Sequence, residues 1–369
     1  IVTGLCYAVA RNFKSTLAKG KKFQSPIAFL GGVAANAGMV RAFEDILELN
    51  QGELIIPKHY ATMGALGAAL ISMEQGGKID PAIWDLDSLK VLLTQQKPEI
   101  KTLHSLSGTG YSEKRATTVH NLSPQQTLPR GVYIGIDVGS LSTNVVAIDE
   151  DKQVLARRYL KTAGKPLEAV KQGLKEIGEE IGPEVRVLGV GTTGSGRYLT
   201  AQFVGADLIK NEITAQATAA IHIDPEVDTI FEIGGQDSKY ISLDRGIIVD
   251  FEMNKVCAAG TGSFLEEQAE RLGIDIVDQF GTLALLAESP CRLGDRCTVF
   301  MESDLVANQS KGADLQPLVA GLSYSIVQNY LHRVVGERRI GKKVFFQGGV
   351  ASNQGVVAAF NKVLGQEVI

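Results

Sequence analysis

Apolar positions in this chain follow two rhythms. Short continuous runs mark buried strands, and longer stretches with apolar residues at helical spacing mark helices. Helical spacing covers 1–18; an apolar run at 27–30 then predicts a strand entering Gly31-Gly32, and 37–50 a helix. A strand at 54–56 stops at Pro57, and a helix of small residues follows over 62–75. Strand and helix alternate, which predicts an α/β layer. From 78 to 130 the pattern weakens: one apolar stretch at 83–93 gives way to Ser, Thr, Gln, Pro and Lys, the composition of a linker. Beyond it, strands at 132–137 and 144–149 flank the tight turn Gly139-Ser140 and predict a hairpin. A helix (166–181), a strand (186–190), a Gly-rich loop (191–196) and a helix near 211–220 come next. The hairpin theme then recurs, with strands at 229–233 and 239–243 around Gly234-Gly235-Gln236-Asp237-Ser238.

The chain also repeats itself on a larger scale. Residues 29–47 and 346–364 are identical at 11 of 19 positions at an offset of 317, and the same offset aligns Gly4-Leu5 with Gly321-Leu322. A period this long means duplicated whole domains. Residues 1–77 therefore read as the C-terminal part of a first copy, 78–130 as the linker, and 131–369 as a nearly complete second copy that stops before the counterpart of 57–67. An opening Ile inside a helical pattern agrees with a window from a longer tandem protein. The tail of the first copy is expected to be able to dock where the last strand and helix of the second belong.

Composition narrows the functional classes. With 44% hydrophobic residues, a formal net charge of −4 and no basic tract, the chain suits a folded protein without a nucleic-acid footprint. Apolar stretches fall short of the roughly 20 residues a bilayer span needs, so no membrane role and a cytoplasmic location are expected. Four cysteines in this length do not make a disulfide scaffold, so their positions must decide what they do.

Candidate chemistry sits at the hairpins. A strand ending in an acid, then Gly and a hydroxyl residue in the turn, offers backbone N–H groups and hydroxyls to an anion while the carboxylate reaches the anion's metal. Asp137, Gly139, Ser140, Ser142 and Thr143 fit that description; Gly234, Gly235, Gln236 and Asp237 face it from the second hairpin, and Gly348, Gly349 and Val350 open a helix after a strand. In this order these turns resemble the two-lobed, ribonuclease H-like ATPase core shared by actin, sugar kinases and heat-shock chaperones. The resemblance implies that Asp137 holds Mg²⁺ through water and that Gly139, Ser140, Ser142 and Thr143 contact the β- and γ-phosphates of ATP. It also implies that Gly234 and Gly235 contact phosphate from the other lobe, that Gln236 or Asp237 orients the attacking water, and that Gly348, Gly349 and Val350 line the adenosine site.

Cys257 and Cys297 each stand directly before a helical stretch, where the helix dipole favours thiolate, the form that binds metal. Two thiolates fall short of the four an iron–sulfur cluster takes, so the pair is either inert or part of a site shared across a two-fold axis. Cys6 has Ser323 as its repeat counterpart and is a poor ligand candidate; Cys291 reads as a spectator; the histidines show no metal-ligand spacing; and Arg197 reads as a solvated loop residue. The segments Val256-Cys257-Ala258-Ala259-Gly260-Thr261-Gly262 and Cys297-Thr298-Val299-Phe300-Met301-Glu302-Ser303, with the hairpin turns, resemble the ATP-dependent activators of 2-hydroxyacyl-CoA dehydratases and the ATP-binding subunits of benzoyl-CoA reductase, the BadF/BadG/BcrA/BcrD type, in a fused tandem form. That resemblance implies a 4Fe-4S cluster held by Cys257 and Cys297 together with two cysteines of a second protomer or of the sister repeat. It further implies a ferredoxin or flavodoxin as electron donor and an acyl-CoA dehydratase or reductase as acceptor. A small-molecule kinase of the same fold, of the N-acetylglucosamine kinase kind, is the alternative; it has no use for the cysteine pair.

Overall fold

A computed structural model of the chain describes residues 1–17, 21, 23–74, 99–108, 131–254 and 258–369. The chain divides into two compact units, Ile1–Gln96 and Lys97–Ile369, and the boundary falls inside the stretch expected to be linker.

In the first unit, helices α1 (Val2–Asn12) and α2 (Ala37–Leu47) enclose a small core of Cys6, Ala10, Met39, Ala42 and Phe43, with Phe29 edge-on to Phe43. Strand β1 (Ile27–Ala28) pairs in parallel with β2 (Leu54–Ile55), and α3 (Met63–Glu74) follows. Cys6 is buried on α1, away from any metal-ligand grouping among the described residues.

The second unit contains two lobes with the same strand order. The first lobe consists of β3 (Gly131–Val138), β4 (Ser142–Ile148), β5 (Val154–Lys161), helix α4 (Pro166–Ile181), β6 (Arg186–Thr193), helix α5 (Arg197–Val204) and β7 (Leu208–Ile209), in the sheet order β5-β4-β3-β6-β7. Helix α4 starts on a proline at its first position and buries Ala169, Val170, Gly173, Ile177 and Ile181, a stripe at three- and four-residue spacing, against the sheet. Helix α6 (Glu212–Ile223) leads to the second lobe: β8 (Thr229–Ile233), β9 (Ser238–Asp244) and β10 (Ile247–Met253), then α7 (Gly262–Leu272), α8 (Phe280–Leu286), α9 (Thr298–Ser310), α10 (Leu315–Tyr330), β11 (Val344–Gln347) and α11 (Gln354–Leu364). Its sheet order is β10-β9-β8-β11. The largest core lies here, where Phe231, Tyr330, Phe346 and Phe360 pack at centroid distances of 4.8–5.7 Å, three of the four ring pairs edge to face.

The repeat is visible in backbone detail. Gly31 and Gly348 both take positive φ (93° and 89°), Asn36 and Asn353 both cap the following helix with their side chains, and those helices have equal length. Val368 bridges Val344 in parallel just as Leu54 pairs with Ile27. This corrects one expectation: the last strand of the second copy is not missing. Ile369 donates to Val344 O (2.8 Å) and accepts from Phe346 N (2.7 Å), so the place proposed for docking of the first copy's strand is taken by the chain's own end.

Four further segments depart from the sequence reading. β5 and β10 are edge strands that apolar spacing alone did not disclose: β5 carries Arg157 and Arg158, and β10 turns Ile247, Val249, Phe251 and Met253 outward. The strand at 186 extends to Thr193, so the glycine loop proper is Gly194-Ser195-Gly196. Finally, residues 99–107 lie on the second lobe, where Thr102 bridges Cys291, the Tyr324 hydroxyl donates to His104 O (2.9 Å) and Leu106 is fully buried.

Candidate functional site

The two hairpins are copies of one another. In the first, Asp137 pairs with Asn144 and Gly139 N donates to Ser142 O at 2.9 Å; in the second, Glu232 pairs with Lys239 and Gly234 N donates to Asp237 O at 2.9 Å. The strands that cross back beside them are matched too. Thr193 lies in register with Asp137, and Gln347 with Glu232. Thr193 Oγ1 and Gln347 Oε1 are both buried without a hydrogen-bond partner, polar atoms available at the C-terminal edge of each sheet, where open α/β sheets hold ligands. Gly194 and Gly348 turn the chain at these edges with φ of 88° and 89°; a Cβ at Gly194 would stand 2.4 Å from an Asp137 carboxylate oxygen, and one at Gly348 2.3 Å from Ile233 O. Asp137 thus has backbone pressed closely against it, and the Gly348 turn is pressed against the strand end beside Glu232.

Asp137 ends β3 in a half-buried position, and burial together with the negative charge of Glu212 pushes its carboxyl up to about 6 despite the pull of Lys239. Ser140 is exposed at the turn, and Ser142 is half-buried. Thr143, expected on the phosphates, is instead fully buried: its hydroxyl pairs with that of Thr162 at 2.9 Å, and Thr162 Oγ1 donates to Gly139 O at 2.9 Å. Thr143 braces the turn from behind, because alternation along β4 points it into the lobe. Val350 likewise turns its side chain into the core, against Gly262, leaving only backbone to line a ligand. The Tyr159 hydroxyl would stand 3.0 Å from a Cβ at Gly349. Arg197 donates to Gly194 O (2.9 Å) and stacks on Tyr198, holding its own loop.

Around the second hairpin the structure gathers groups that the linear reading did not single out. Lys239 Nζ lies 2.9 Å from Glu232, 3.0 Å from Asp237 and 3.5 Å from Glu212, the first residue of α6. Burial works against the Lys239 charge, yet the three surrounding carboxylates, Glu232 first, hold it protonated above its ordinary range, while burial pushes Glu232 up to about 7 against the pull of the Lys239 ammonium. One signal could have found Glu232: it precedes Gly234 by the same two residues that separate Asp137 from Gly139. Gln236 is exposed at the turn, and Asp237 is half-exposed.

The hairpin is wired to the cysteine region. Ser238 O accepts from Asn254 N (3.0 Å), and Ser238 N donates to the Asn254 side chain (2.9 Å). On the far side, Gly262 N donates to Gly234 O (2.9 Å), and Ser263 donates to Gly235 O through both N (2.8 Å) and Oγ (2.6 Å). Cys257 itself lies outside the described residues, but Asn254 before it and Gly262 and Ser263 after it are bonded to the second hairpin. Cys297 is the N-cap residue of α9, a free and partly exposed thiol beside the exposed Val299 and Phe300. Its loop is held by Asn329, which donates to the Asp295 and Arg296 carbonyls, and by His332 against Asp295. Cys291, in contrast, is fully buried and its thiol is pushed up by burial, an inert core group. Cys297 thus fits a thiolate ligand, and the glycine turns with their orphaned polar atoms fit a phosphorylated ligand. No helix among the described residues is long and apolar enough to cross a membrane.

Comparison with known proteins agrees with this geometry. The model of the BadF/BadG/BcrA/BcrD ATPase family matches residues 134–369. The (R)-2-hydroxyglutaryl-CoA dehydratase activating ATPase of Acidaminococcus fermentans is 33% identical, over 64% of this chain and 89% of its own length. An uncharacterized protein of Methanocaldococcus jannaschii is 33% identical over 65% of this chain, which spans only 58% of that relative's length. Among solved structures, the activator of 2-hydroxyisocaproyl-CoA dehydratase from Clostridium difficile with bound ADPNP matches with a TM-score of 0.57 and 28% identity, covering 64% of this chain and 87% of its own. The fold is the two-lobed ATPase fold expected from the sequence.

Proposed function

The chain belongs to the BadF/BadG/BcrA/BcrD ATPase family, and from that premise we propose that its second unit hydrolyses ATP to drive a low-potential electron into an acyl-CoA dehydratase or reductase. The observation that carries this reading is the attachment to the second hairpin of the residues on both sides of Cys257, Asn254 before it and Gly262 and Ser263 after it. A ligand that moves the hairpin from Gly234 to Ser238 must move Asn254, Gly262 and Ser263, and the N-terminus of α7, with it. Activity of the relatives on dehydratases supports the choice of acceptor.

In this reading the backbone of Gly139, Ser140, Gly234 and Gly235 receives the phosphates, Ser142 adds a hydroxyl, and Asp137 holds Mg²⁺ through water. Thr143 and Thr162 keep the first turn in shape. Gly348, Gly349 and the backbone of Val350 line the adenosine side, and Gln236 or Asp237 orients the water that attacks the γ-phosphorus. Phosphoryl transfer asks mainly for positioning and charge neutralisation, which these groups supply. Cys257 and Cys297 are the cluster ligands, completed by a second protomer or by the sister repeat. When bound, a 4Fe-4S cluster supplies one-electron chemistry, reduced by a ferredoxin or flavodoxin. Closing of the lobes shifts the cysteine-bearing segments, and hydrolysis returns them, which makes transfer unidirectional.

The test is anaerobic purification of the full chain with iron, sulfide and ATPase assays on the parent and on C257A and C297A. Iron and sulfide lost in both variants, with nucleotide binding kept, support the reading. An iron-free parent prepared without air, hydrolysing ATP at a rate indifferent to C257A, refutes it.

A further inference from the structure

We propose that Lys239 is the positioning residue of ATP hydrolysis: it pins Asp237, the most exposed carboxylate of its cluster, as the group that orients the attacking water. The inference rests on the nucleotide reading above and selects Asp237 over Gln236.

The argument starts from the internal symmetry of the domain. Both hairpins close with the same Gly N–H to carbonyl bond of 2.9 Å, yet the first does so with Asn144 and Ser142 where the second has Lys239 and Asp237. The turn therefore needs no charges to form. A buried ion pair is at best a weak contributor to stability, because desolvation offsets its attraction. The second hairpin nevertheless carries an ammonium with 3% side-chain exposure, surrounded by Glu232 at 8%, Glu212 at 25% and Asp237 at 40%. Exposure rises in one direction, from the Lys239–Glu232 pair outward to Asp237. Glu232, from β8, and Glu212, from the N-terminus of α6, hold the lysine from behind, and the lysine holds Asp237 Oδ2 at 3.0 Å. That leaves Asp237 Oδ1 as the oxygen directed toward the turn, where it would stand 3.0 Å from a Cβ on Gly234. Gln236 is exposed at the same turn, and among the described residues no such support stands behind it. A carboxylate that must hold a water in line gains from a fixed rotamer, and a fork of ion pairs behind it supplies one.

The experiment measures steady-state ATP hydrolysis and MgADP affinity of the full chain for the parent, K239M, K239R, D237N and the double variant K239M/D237N. K239M and D237N are each expected to lower kcat by about 100-fold, the scale of a positioned proton-handling group, while MgADP affinity stays within about 3-fold. The double variant is expected to be no worse than either single one, since the two residues act as one unit, and K239R recovers part of the loss. Should K239M fail to fold, E232Q/K239M removes both charges of the most buried pair, leaves Asp237 equally unpinned, and is expected to show the same fall in kcat. Losses that multiply in the double variant, or an unchanged kcat in K239M, overturn the positioning role alone. A parent chain that binds neither MgATP nor MgADP overturns the nucleotide reading instead.

Discussion

Asp137→Asn should make the protein more stable while making it less active. The Asp137 carboxyl is raised to about 6 from an ordinary 3.8, chiefly by burial and by Glu212. A folded-state pKa above the unfolded one means that the native protein holds a proton the unfolded chain has released. Stability is then lost as pH rises from about 4 to about 6 and stays lost above. The shift corresponds to a ceiling of about 3 kcal/mol at pH 8 and about 1.6 kcal/mol at pH 5. Asn keeps the shape and a hydrogen-bonding group beside Asn144 but carries no charge to desolvate. Urea unfolding of the full chain in EDTA, followed by far-UV circular dichroism, should show D137N more stable than the parent, with a gain at pH 8 about twice that at pH 5. ATP turnover should fall sharply because the carboxylate proposed to hold Mg²⁺ is gone. A stability gain that does not grow between these pH values, or a D137N variant less stable than the parent at pH 8, refutes the view that Asp137 is strained by burial for the sake of its ligand.

Gly348→Ala places a Cβ 2.3 Å from Ile233 O at a φ of 89°; it should cost about 2 kcal/mol or more and weaken MgADP binding, read by thermal melting and equilibrium titration. Thr162→Val strips the hydroxyl that joins Thr143 to Gly139 O and leaves the buried Thr143 hydroxyl and the half-buried Gly139 carbonyl without it; a loss of about 1–3 kcal/mol is expected, together with a raised KM for ATP in the hydrolysis assay. Cys297→Ser should abolish bound iron and sulfide in anaerobic preparations, whereas Cys291→Ala, deep in the core, should keep both and lose only about 1 kcal/mol of stability.

Much of this protein is legible in one dimension. The alternation of apolar runs with helical spacing located both hairpins, and the bounds of α4 follow from Pro166 and the stripe to Ile181. The 317-residue repeat reappears as a shared strand, glycine turn, Asn-capped helix and returning strand. These features are local: they depend on side-chain period, on positive-φ glycine and on capping groups within a few residues. Asp137, Gly139, Gly234 and Gly348 belong to the same class, because a turn beside a strand end is written in adjacent letters.

The tertiary structure decided what lies at long range. β5 and β10 escape the pattern because an edge strand has one side without a neighbour and so tolerates charged or outward apolar residues. Lys239 sits at the start of its strand and reads there as an ordinary surface lysine; only the register of β8 against β9 and the arrival of α6 surround it with Glu232, Asp237 and Glu212. Thr143 and Val350 changed roles for the converse reason, since the face a side chain occupies depends on which surface its element buries. Sequence specifies turns and periods because those are set by neighbours along the chain; charge partners and burial are set by neighbours in space, and those appear only when the sheets have closed.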